Sequence, residues 1–152
     1  MQLARVALLA ATVIAVAACS AQVQSTVAPT SGSATSTDTA PLRIEVRLVD
    51  TLRMEPGSMT VPVGVPVTFI VTNAGALEHE FYLGDEAAQL EHAAEMAAMG
   101  GMTHDEPEGI GVDPGETKEL TYTFAEAGRT LAGCHVTGHY LGGMKATIAV
   151  GS

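Results

Sequence analysis

The sequence predicts an all-β fold, a small sandwich or barrel of short strands carrying one short helical insertion. Three observations predict it. Several segments alternate apolar and polar side chains with the two-residue period of a half-buried strand. Glycine, proline and asparagine punctuate those segments at short intervals, as in sandwiches and barrels. Only Ala87 to Met99, rich in Ala, Glu, Leu and Met, has the composition of a helix, and Gly100-Gly101 ends it.

Taken in order, the chain of 152 residues begins with a targeting pattern. Arg5 precedes an apolar run, Val6 to Ala18, of 13 residues. That run falls short of the ~20 residues a bilayer span needs but suits a signal sequence. Val16-Ala17-Ala18-Cys19 resembles a bacterial lipobox, which makes residues 1–18 a signal peptide and Cys19 a lipidated N-terminus. The alternative is an ordinary signal cleaved nearby, such as after Ala21. Either reading places the protein outside the cytoplasm, in the periplasm or at the cell surface. Residues 19–40 are small and polar without apolar period, a flexible tether that would lift a domain, residues 41–152, off a membrane.

Within that domain, Leu42 to Val49 alternates apolar and charged residues and reads as a strand. Met54 to Thr60 turns at Pro56-Gly57 and then extends, and Val61 to Pro66 is rich in turn residues. Val67 to Thr72 is a strong strand closed by Asn73-Ala74-Gly75, and Glu78 to Leu83 is a short extended run. After the helix, Met102 to Gly115 reads as a loop. Thr117 to Phe124 alternates again, and Arg129 to Cys134 and Lys145 to Val150 are the last two strands.

Seventeen acids against seven bases disfavour a nucleic-acid partner, whose phosphates want Lys and Arg. The acids concentrate between Glu78 and Glu126, where Lys118 is the only base, a solvated face or a docking surface for a basic partner.

The chemistry lies in one loop. Cys134, His139 and Met144 offer a thiol, an imidazole and a thioether at even spacing in Gly133-Cys134-His135-Val136-Thr137-Gly138-His139-Tyr140-Leu141-Gly142-Gly143-Met144. With Cys19 acylated or removed, Cys134 is the one thiol left in an exported domain, where a lone thiol needs protection or a task. Two imidazoles, one thiolate and a weak axial Met suit both Cu(II) and Cu(I). His79, just after the strongest strand, is the candidate for the second imidazole. Gly138 and Gly142-Gly143 allow the loop to turn tightly against a metal.

With "NAGALEHEF" and "CHVTGHYLGGMKATIAV", the domain resembles the cupredoxins, the small blue-copper proteins, with ligand-loop spacing similar to rusticyanin-like members. The resemblance implies a Greek-key β-sandwich with His79, Cys134, His139 and Met144 as ligands of one type 1 copper, and His79 and Cys134 on neighbouring strands. It also implies a monomer that transfers single electrons to a redox partner protein and is not an enzyme. His139 would be the partly exposed ligand beside an apolar patch of Tyr140, Leu141 and Gly142, and the Asn73 amide would brace the site. His135 next to the Cys is shared with multicopper oxidases, but Gly133 replaces their second flanking His and no His-x-His pair occurs, so His135 is expected to be a packed or exposed strand residue. A dinuclear thiolate-bridged centre would need a second Cys in the loop.

One further set is His92, Met96, Met99, Met102 and His104. His92, Met96 and Met99 fall on one helical face, which either packs on the sandwich or forms a soft Cu(I) flap in a copper-handling protein, a chaperone or resistance factor.

Overall fold

Alternation along Leu42–Val49 turns Val46 and Leu48 inward and leaves Arg43, Glu45 and Arg47 outside. The computed structural model describes residues 41–151, so the expected signal sequence, Cys19 and the expected tether lie outside the described residues. In chain order the elements are β1 (Leu42–Val49), β2 (Arg53–Glu55), β3 (Ser58–Pro62), β4 (Pro66–Asn73), β5 (His79–Gly84), α1 (Glu86–Ala98), β6 (Gly109–Val112), β7 (Thr117–Thr123), β8 (Gly128–Gly133) and β9 (Lys145–Gly151). One sheet has the order β2-β1-β4-β7, the other β3-β9-β8-β5-β6. The pairs β1–β4 and β3–β9 are parallel and the others antiparallel, so both sheets are mixed.

The inner faces share one core. Val46, Leu48, Phe69, Val71 and Leu120 come from the first sheet, Phe81, Leu83, Ile148 and Val150 from the second. Phe69 packs on Phe81 with ring centroids 5.2 Å apart and meets Phe124 edge-on. Burying each such ring contributes on the order of 2–3 kcal/mol. Cys134 and Met144 belong to the same core, so the loop that carries them is a continuation of it.

The expected strands form, and α1 covers the expected helical stretch with its N-terminus capped by the Asp85 side chain on the Ala88 N–H. Two expectations need correction. Met102 to Gly115 is not all loop, because Gly109–Val112 forms β6 at the sheet edge beside β5. Its four residues are all buried, so no polar alternation marks them. Val61 and Pro62, expected in a turn, complete β3. No helix among the described residues is long and apolar enough to cross a membrane.

Candidate metal centre

Four strand ends meet at one end of the sandwich. There β4 closes with Asn73, β5 opens with His79, β8 delivers Cys134 one residue past its end, and β9 starts one residue after Met144. Antiparallel pairing of β5 with β8, Tyr82 opposite Gly133, places His79 and Cys134 on neighbouring strands as expected. The loop folds back on itself. The Cys134 N–H donates to the Met144 carbonyl, and the Met144 N–H donates to the His139 carbonyl. Gly138 and Gly143 take φ of 84° and 96°, which a side chain at either position would strain.

His79, Cys134 and His139 converge, their ligand atoms all within 4.8 Å of one another. The two Nδ1 atoms are 3.3 Å apart, and Cys134 Sγ is 3.4 Å from His139 Nδ1. Donors sharing one ion in a trigonal arrangement sit about 3.5 Å apart, so these two spacings are those of ligands on a common ion. Met144 is buried at the same loop end. His79, Cys134 and Met144 are 0% exposed and His139 is 9%, so His139 is the least buried of the four, two residues before the exposed Leu141 at 93%.

The surroundings prepare each donor. The Asn73 amide donates to the Leu77 and Val112 carbonyls and accepts the Gly75 N–H, bracing the turn before His79 as expected. Asp50 has a role that the sequence does not signal. Its carboxylate accepts the Ala76 and Leu77 N–H groups and lies 3.2 Å from His79 Nε2. Those bonds, the Ala76 one foremost, hold its carboxyl below the usual range. A carboxylate on Nε2 draws the ring proton there and leaves the Nδ1 lone pair for a metal.

Glu80 is the second residue that sequence reasoning passed over. Its backbone N–H donates to Cys134 Sγ at 3.3 Å. Its side chain, 1% exposed, accepts the His135 N–H with one oxygen and pairs with His92 Nε2 through the other. His135 is a packed residue. Its Nε2 meets Gln89 Oε1 at 2.7 Å, its ring stacks on Tyr140, and burial holds its pKa down to about 4. Gly133 leaves the space that Gln89 and Tyr140 fill.

The Met/His set does not gather as one group of donors. Gln89, His92 and Met96 form the buried face of α1, while Met99, past its end, and Met102 are exposed. His92 turns its nitrogens toward Glu80 and Glu106, and the half-exposed His104 lies beside Glu106.

Burial, against the N–H groups of Glu80 and Val136, pushes the Cys134 thiol up to about 12. Burial and then His79 hold His139 below the ordinary imidazole value. The metal-free centre at neutral pH therefore carries a protonated thiol beside a neutral His139, and a metal thiolate forms only by expelling the thiol proton. The expected outcome is one proton released by Cys134 per copper taken up, with apparent affinity rising about tenfold per pH unit between roughly pH 7 and 9. A pH-stat titration checks it, and uptake with no proton released would remove Cys134 from the ligand set.

No family model matches the chain. It is 38% identical over 115 residues to the copper-resistant cuproprotein CopI of Rubrivivax gelatinosus, covering 74% of this chain and 70% of that protein. It is 34% identical over 136 residues to the CopI of Pseudomonas aeruginosa, covering 70% of this chain and 75% of that one. Among solved structures, the reduced auracyanin of Roseiflexus castenholzii superposes with a TM-score of 0.66 at 23% identity, over 74% of this chain and 99% of that one. Auracyanin A, a blue copper protein of Chloroflexus aurantiacus, gives 0.61 at 26% identity, over 72% and 98%. The two mixed sheets and the His-Cys-His cluster at their end define a cupredoxin. By its likeness to the two CopI proteins, the chain belongs to the CopI family of copper-resistant cuproproteins.

Proposed function

We propose that this chain is an exported type 1 copper protein of copper resistance, lipid-anchored through Cys19. In this reading one copper is held by His79, Cys134, His139 and Met144, and single electrons pass to a redox partner protein; no substrate is turned over. The observation that carries it is the convergence of the His79, Cys134 and His139 donors within 4.8 Å in a chain of the CopI family. Copper bound there supplies one-electron exchange between Cu(II) and Cu(I). The chain's own residues do the rest. Asp50 and Asn73 hold His79 and its turn, the core keeps water from Cys134, and His139 is the least buried of the four. Beside it, a groove of about 560 Å³ between α1 and the ligand loop, lined by Leu90, Met96, Val136, Tyr140 and Leu141 among others, offers a partner an apolar footing.

The relatives are described as copper-resistant, which weighs toward copper handling over electron carriage alone. The test pairs a spectrum with a growth assay. Titrating the full chain with Cu(II) should raise an intense thiolate-to-copper band that saturates at one blue copper per chain, bleaches with a one-electron reductant and returns with ferricyanide. Expressed in a copper-sensitive bacterium, the chain should raise copper tolerance. The band without tolerance would leave electron carriage as the function, and no band would remove both readings.

A further inference from the structure

Behind Glu80, away from Cys134, two buried polar atoms face each other without satisfaction. His92 is 1% exposed, and its Nε2 meets Glu80 Oε1 at 2.8 Å. Its other nitrogen, Nδ1, has no hydrogen-bond partner. Glu106 Oε1 lies 3.2 Å from it, also buried and also without a hydrogen-bond partner, because the two approach closely but are not aligned to share a proton. Buried groups left in this state are uncommon and costly, about 1–3 kcal/mol each.

Two more donors border this pair, each close to one member of it. His104 Nε2 is 3.8 Å from that Glu106 oxygen, and Glu95 Oε2 is 3.9 Å from His92 Nδ1. Ligands about 2.0–2.2 Å from a shared tetrahedral ion stand about 3.3–3.5 Å from each other, so the close pair is at ligand spacing, while His104 and Glu95, each near only one of the two, must swing inward to share the ion. The orientation is prepared. Glu80 takes the Nε2 side of His92, which directs the Nδ1 lone pair toward Glu106, as carboxylates do behind metal-bound histidines. Tyr82 stacks on the His92 ring at 3.8 Å with an interplanar angle of 1°, fixing its plane. Glu106 and His104 are partly exposed, which gives an ion a way in.

We propose that His92, Glu106 and His104, with Glu95 at the rim, form a second cation site, distinct from the Cys134 centre, for a divalent transition-metal ion such as Cu(II) or Zn(II). The donors are imidazole nitrogen and carboxylate oxygen, which suit divalent ions and not Cu(I). The methionines of the same segment take no part, since Met99 and Met102 stand exposed and Met96 is packed under α1. Through the Glu80 carboxylate the new site is two hydrogen bonds from the backbone of His135, beside Cys134.

The probe is Cu(II) alone, added to the full chain, with visible absorbance, EPR and copper retained after gel filtration read together. The expected result is a blue band complete at one copper per chain and a second retained copper with an ordinary nitrogen–oxygen EPR signal and no thiolate band. Glu106→Gln with His104→Ala, both at partly exposed positions, should leave the blue band unchanged and weaken the second copper by about 100-fold or more. A wild-type chain that retains only blue copper overturns the proposal. So does a double variant that retains the second copper, since the ion then sits elsewhere. Because the proposed second site has no thiolate, the blue band does not report it, so absence of the band would count against the type 1 reading and leave the non-blue signal to decide the second site.

Discussion

Cys134→Ser is expected to give a colourless protein that folds. The band depends on charge transfer from a thiolate sulfur, and a serine hydroxyl has neither the soft donor orbital nor an anionic form at neutral pH. The fold should tolerate the exchange. The side chain at position 134 sits in the core at 0% exposure, with the Glu80 N–H at 3.3 Å and His139 Nδ1 at 3.4 Å. A hydroxyl there finds both a donor and an acceptor, so the usual cost of burying it is mostly met, and metal-free stability should change by about 1 kcal/mol or less. Two measurements make the prediction sharp: the visible spectrum after Cu(II) addition, and a urea melt of the metal-free protein. An unaltered melt with no band isolates the ligand role. A variant that stayed equally blue would refute the assignment of Cys134, and a collapsed melt would show that the thiol matters first to packing.

What made this centre legible in the sequence is its locality. Cys134, His139 and Met144 lie in one loop, where residue type and spacing are visible without knowing the fold. His79 was accessible because it follows a strong strand and an Asn-x-Gly turn, whose bracing by the Asn73 amide the structure bears out. Most strands were legible for a similar reason, since half-buried strands such as Leu42–Val49 and Thr117–Thr123 write their two faces into alternating residues. Strand β6 writes nothing of the kind, because Gly109–Val112 is buried on both faces and two of its four residues are glycine. The supporting carboxylates were illegible for a different reason. Asp50 reaches His79 from 29 residues away, and Glu80 sits in an acidic stretch where one more acid reads as surface. Only the pairing of β5 with β8 and the packing of α1 over them turn Glu80 inward, between Cys134, His135 and His92. Sequence spacing can nominate ligands, whereas the groups that orient them are chosen by contacts between distant segments.

Glu80→Ala should therefore be among the most damaging single changes to the fold, although Glu80 binds no metal in this reading. Its carboxylate accepts from His92 Nε2 at 2.8 Å and from the His135 N–H at 3.0 Å, all at positions with little or no water. Truncation leaves both donors without an acceptor and a gap beneath α1, and removal of one partner from a buried network of this kind costs about 3–5 kcal/mol. Glu80→Gln keeps one accepting oxygen but turns an NH2 toward the other donor, so a loss of about 1–3 kcal/mol is expected. The pH dependence separates the charge from the shape. Burial raises the Glu80 pKa against the opposing bonds from His135 and His92. A carboxyl raised in the folded state contributes stability at low pH that is lost as pH rises from the unfolded value near 4.5 through the folded one, and Glu80→Gln should remove that slope. Urea melts of the metal-free protein across that range read all three effects. The Glu80 backbone N–H on Cys134 Sγ survives both substitutions, so each variant, while folded, should still turn blue with Cu(II). A Glu80→Ala protein within about 1 kcal/mol of wild type would mean that water reaches His92 and His135, and that the wall between the Cys134 centre and the proposed second cation site is wet.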